Sequence, residues 1–110
     1  MKKSTISFEV NLDEKNLAES ITWKASDNEN KALDTKAFAI SLWDREQQNT
    51  LKIDLWTKEM RIDEMDKFLI DTLGGLSQTM LNATGDSFIS QELNNLCDKL
   101  VKHVSEKKYD

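Results

Sequence analysis

The chain has 110 residues, 38% hydrophobic and 32% charged, with a net charge of −5 and a pI near 4.9. That length suits a single domain, residues 1–110, with a real apolar core, and the hydrophobic content is too high for intrinsic disorder. An acidic balance without a basic stripe excludes nucleic acid and anionic membrane surfaces as expected partners, because Lys and Arg dominate both kinds of binding.

Lys2 and Lys3 precede an alternation of polar and apolar residues, not the apolar block of roughly 7–15 residues that export requires. No run of about 18 apolar residues occurs, so no membrane span is expected. The lone Cys97 cannot form an internal disulfide. A cytoplasmic location is the resulting expectation.

Thr5 to Leu12 alternates strictly, with Ile6, Phe8, Val10 and Leu12 on one face, and predicts a half-buried strand. Ser20 to Ala25 alternates again, with Ile21 and Trp23 on the apolar side, so the two segments should form an antiparallel hairpin. After a polar linker, the apolar run with Ala37, Phe38, Ala39, Ile40, Leu42 and Trp43 predicts a deeply packed helix from about 35 to 45. Asp34 is its expected N-cap, and Leu33 and Phe38 have the spacing of a hydrophobic staple.

A third strand is predicted over Leu51 to Thr57, with Leu51, Ile53 and Leu55 facing in and Lys52, Asp54 and Trp56 facing out. A long helix should run from an Asp63 cap to about Ala83, where Gly85 suits a left-handed stop. A last helix follows from about Ser87 to Glu106, with Ile89, Leu93, Leu96, Cys97, Leu100, Val101 and Val104 as its apolar stripe.

The expected fold is therefore α+β in the order β-β-α-β-α-α. The first strand should lie in the middle of a three-stranded, mainly antiparallel sheet, with helices packed on one face and the other face polar and open. The second and third strands, joined by a right-handed crossover, should then be parallel.

No catalytic, cofactor or metal constellation stands out. Cys97 lies on an apolar helix stripe, as a buried inert thiol does. His103, six residues along, points about 240° away, which prevents a Cys–His pair within that helix. The carboxylates Asp54, Glu59, Asp63, Glu64, Asp66 and Asp71 have no apolar pocket to set a pair apart; Glu64 should instead pair with Lys67. Spacings for zinc, calcium and phosphate loops are absent. Gly74-Gly75 inside a helix costs roughly 1 kcal/mol per glycine against alanine, so close packing of another element over that turn, a kink, a hinge or the close approach of a partner's backbone is expected.

Trp23 and Trp43 read as core residues. Trp56 falls on the polar sheet face and is a plausible binding anchor, although its ring could instead lie over the stems of Lys52 or Lys58. The candidate contact surface is Asp54, Trp56, Lys58, Glu59 and Met60. An exposed edge of the second or third strand could alternatively pair with a partner strand or a second copy.

The segment Asn49-Thr50-Leu51-Lys52-Ile53-Asp54-Leu55-Trp56-Thr57-Lys58-Glu59-Met60 carries more information than any spacing. With Ser41-Leu42-Trp43-Asp44, Asp63-Glu64-Met65, Ile21-Thr22-Trp23, Lys36-Ala37-Phe38 and Ala83-Thr84-Gly85 in the same order, the chain resembles the gliding-motility-associated GldC family of gliding bacteria. The family pattern has proline near positions 18 and 61, where this chain has Ala18 and Arg61. The resemblance implies a cytoplasmic accessory protein that supports gliding through protein components of the machinery. It implies no enzymatic activity, no cofactor and no transferable catalytic residue. The rival expectations are a small-ligand-binding domain or an enzyme using a carboxylate, either of which needs a concave pocket of about 300 Å³ or more with converging polar groups, and a chaperone-like holder of an extended polypeptide, with a groove of exposed apolar residues formed across a homo-oligomer.

Overall fold

A computed structural model describes residues 1–109; Asp110, the last position of the expected domain, lies outside the described residues. The chain forms two compact units, Met1–Met60 and a second from Arg61 onward. The first is built of strands and the second of two helices.

In the strand unit, β1 (Ile6–Leu12) and β2 (Ala18–Ala25) form the expected antiparallel hairpin. Its register pairs Phe8 with Trp23 and Val10 with Ile21, so the apolar members of both alternations share a face. A bulge interrupts the ladder between Asn11 and Leu12. A short β3 (Leu33–Thr35) pairs antiparallel with the other side of β2. The middle strand is therefore β2, where β1 was expected.

The predicted helix over 35–45 is instead a strand, β4 (Ala37–Trp43), which forms a two-stranded antiparallel hairpin with β5 (Thr50–Trp56). Side-chain size explains the misreading. Ala37, Ala39 and Ser41 alternate with Phe38, Ile40 and Leu42, a period of two that hydropathy does not see because alanine counts as apolar. In register, Phe38 faces Leu55, Ile40 faces Ile53 and Leu42 faces Leu51, making one hairpin face wholly apolar.

Several expectations fall with that helix. Asp34 is no N-cap but a β3 residue opposite Thr22. Leu33 and Phe38 staple nothing, and the crossover with its parallel strand pair does not exist. The order is β-β-β-β-β-α-α, with a three-stranded and a two-stranded sheet, both antiparallel.

The sheets meet where the Phe8 and Phe38 rings lie 4.9 Å apart at 47°. After β5, the Thr57 N–H donates to the Lys36 carbonyl at 2.8 Å and the Lys58 N–H to the Ala18 carbonyl at 3.2 Å. Only Ala18 and Ile21 are fully buried apolar residues among those described. Of the residues expected on the inward sheet face, Ile6, Leu51 and Ile53 are each more than half exposed, whereas Val10 and Leu55 are half-buried. Trp23, expected in the core, is half-buried. Trp43 is not core: at the end of β4 it is 70% exposed.

In the helical unit, α1 spans Ile62–Thr84 and α2 Ser87–Ser105, close to the predicted bounds. Helix α1 starts one residue before the expected Asp63 cap. The Glu64 carboxylate accepts the Arg61 N–H at 3.1 Å, and the Arg61 guanidinium grips Asp63 at 2.9 and 3.1 Å. Glu64 thus turns back to Arg61, and Lys67 pairs with Asp71 at 2.9 Å instead. Gly85 ends α1 at φ 73°, in the left-handed region its sequence position predicts. Asp86 caps α2 by accepting the Ile89 N–H at 3.0 Å.

The helices touch through small groups. The Ser77 hydroxyl lies 2.8 Å from both the carbonyl and the hydroxyl of Ser90. These two serines are the fully buried residues of α1 and α2. The Cys97 thiol, half-buried, donates to the Ile70 carbonyl at 3.7 Å. The Lys107 ammonium and the Tyr109 hydroxyl both donate to Asp66, at 2.6 and 2.7 Å. His103 is exposed, as expected. Close packing over Gly74-Gly75 is absent, since a Cβ added at either would meet nothing within 4 Å.

Candidate interaction surface

Strand β5 and the turn after it carry all five of the sequence-derived contact residues. Alternation along β5 sends Asp54 and Trp56 to the same side, with Lys52. Their partners across the hairpin are Ala39, Ala37 and Ser41. Those side chains are too short to cover an indole, and Trp56 is 57% exposed. At the far end of the same face stands Trp43, opposite Thr50. Six residue steps at about 3.4 Å each place the two indoles roughly 20 Å apart along the strand. Between them, Lys52 and Asp54 form an ion pair at 3.3 Å.

The structure brings Asp54, Trp56 and Lys58 together around a groove of about 350 Å³, which Leu17 and Ala18 also line. Glu59 lines a neighbouring groove of about 430 Å³ with Glu19, Asp34 and Lys36. Buried Thr57 borders both. Met60 borders neither, and its N–H donates to the Thr57 carbonyl at 3.1 Å.

Lys58 is a structural clasp as well as a surface cation. Its ammonium donates to Asp13 at 2.9 Å, joining the chain after β5 to the β1–β2 loop. Asp13 also accepts the N–H groups of Lys15 at 2.8 Å and Leu17 at 3.0 Å, which shapes the turn around left-handed Asn16. Held chiefly by the Lys58 ammonium and next by the Leu17 N–H, the Asp13 carboxyl is lowered to about 2. The same bond raises Lys58.

Three features of this surface escaped the sequence reading. Leu17, half exposed at the groove mouth, depends on a turn organised by Asp13. Trp43 was assigned to a helix. Behind the tryptophan face, Leu42, Leu51 and Ile53 are all about half exposed, and the alternation of side-chain size in β4 is the signal that reveals them. Among the described residues no group of three or more His, Cys, Asp or Glu is arranged to hold a metal ion.

A family model described as gliding motility-associated protein GldC-like matches residues 18–106. The chain belongs to the GldC-like family. The match includes β2 to α2 and all five candidate residues of this GldC-like protein, and it associates the protein with gliding motility. No curated protein and no solved structure matched the chain. Among the described residues no helix is long and apolar enough to cross a membrane.

Proposed function

We propose that this GldC-like protein acts in the cytoplasm as a non-enzymatic accessory of the gliding apparatus, docking a protein component of that machinery on the tryptophan face of the β4–β5 hairpin. The observation that carries the reading is Trp56, 57% exposed beside a groove that also holds Asp54 and Lys58. An indole held open by a small cross-strand neighbour is the kind of anchor that dominates protein interfaces. The adjacent ion pair and ammonium supply a polar rim.

Trp56→Ala is the test. The purified variant should lose about 1 kcal/mol of stability or less, as an exposed position does. In a gliding cell it should abolish surface spreading and weaken partner capture by about 2 kcal/mol or more, a factor near 30. Normal spreading and capture with a stable Trp56→Ala chain would sink the reading.

The half-exposed ladder of Leu42, Leu51 and Ile53 favours one alternative, a chaperone-like holder of extended polypeptides. An extended apolar segment would lie against that ladder, on the opposite side from Trp56. Leu51→Ser would then impair function where Trp56→Ala does not.

A further inference from the structure

We propose that the groove walled by Glu19, Asp34 and Glu59 receives an arginine side chain of the protein that docks beside Trp56. The proposal rests on the docking reading above and names the chemistry that the site selects. The groove, of about 430 Å³, is lined by residues of the strand unit alone. Strand β2 supplies Glu19, β3 supplies Asp34 and the turn after β5 supplies Glu59. Three carboxylates and one ammonium, that of Lys36, therefore line it. Among the described residues none of the three carboxylates is drawn into an ion pair or a turn, unlike Asp13 in the same unit.

Thr57 supplies the second, independent observation. It is 3% exposed and forms part of the wall of both this groove and the one beside Trp56. Its backbone is fully engaged: the N–H donates to the Lys36 carbonyl at 2.8 Å, and the carbonyl accepts the Met60 N–H at 3.1 Å. Its hydroxyl is the one buried side-chain oxygen or nitrogen among the described residues that has no hydrogen-bond partner. A buried hydroxyl left unpaired costs stability, and folded chains rarely keep one. Valine has the same shape and would avoid that cost, so the hydroxyl fits a group that arrives from outside the chain.

The surroundings select the class of that group. An anion would meet three carboxylates. An apolar side chain would leave the hydroxyl unpaired and bury the carboxylates against hydrocarbon. No three acidic residues are arranged to hold a metal ion among those described. A guanidinium offers five N–H donors in a planar fork, enough to reach a hydroxyl oxygen and carboxylates on separate segments together. It is also more weakly hydrated than an ammonium, which favours its entry into a groove. Thr57 joins the two grooves, so an arginine here would lie next to whatever covers the Trp56 indole.

The probe is N-acetyl-argininamide, titrated into the full chain and followed by amide NMR, with N-acetyl-citrullinamide as its uncharged counterpart. The arginine amide should produce saturable shifts centred on residues 19–21, 34–36 and 57–59, with Kd of about 1–10 mM. The citrulline amide should bind at least tenfold more weakly. Glu19→Gln combined with Glu59→Gln should weaken the arginine amide about tenfold. Thr57→Val should weaken it at least fivefold without lowering the thermal midpoint, a pairing of effects that a purely structural hydroxyl would not give. Absent or unsaturable shifts, equal binding of both amides, or full binding by Thr57→Val overturns the proposal. A Thr57→Val chain that melts far lower or fails to fold also refutes it, because the hydroxyl would then be paired within the chain. Failure of the titration leaves the docking reading to its own test, the spreading defect of Trp56→Ala.

Discussion

Asp13 accepts two backbone N–H groups of its own turn and the ammonium of Lys58, 45 residues away. Its folded value of about 2 lies below the ordinary carboxyl value near 4. Folding therefore favours the ionised form. The resulting stabilisation is complete above about pH 4 and is lost as pH falls through about 2. Asp13→Asn should lower the melting temperature at neutral pH, and the gap from wild type should close as both are melted at successively lower pH towards 2. A gap independent of pH would show that the turn, not the charge, matters. The outward placement of Trp56 was legible because Leu55 and Trp56 occupy adjacent positions of a strand. The Lys58–Asp13 bond was not, since nothing local in the sequence points from one residue to the other.

At the scale of elements, the helices were legible because their apolar stripes recur at helical spacing and Gly85 offers a left-handed stop; the aspartate cap was not, since Asp63 lies inside α1 and the cap of α2 is Asp86. Strand β4 was not, because its two faces differ in bulk and hardly in polarity. Gly74-Gly75 is a different lesson. Helix geometry is kept across both glycines, and nothing approaches the space a methyl group would take. Gly75→Ala should therefore stabilise α1 by about 1 kcal/mol and raise the thermal midpoint by a few degrees, readable by circular dichroism. A destabilised variant would show that the cleared space is used for close approach.

At the scale of the whole molecule, the buried apolar side chains among the described residues are Ala18 and Ile21, in β2 of the strand unit. Ile21 is 1% exposed, so Ile21→Ala should cost about 2–5 kcal/mol, measurable by urea unfolding. A loss below 1 kcal/mol would show that the strand unit is held elsewhere. The α+β class and the first hairpin followed from periodicity. The division into two sheets did not, because one helix-to-strand exchange redraws every later pairing. The stitching of Thr57 and Lys58 to Lys36 and Ala18 has a practical corollary. Arg45 lies in the exposed β4–β5 turn, accessible to trypsin. A single cut there should yield fragments that travel together on a native gel and separate in detergent, because ladder, clasp and backbone bonds all span the nick.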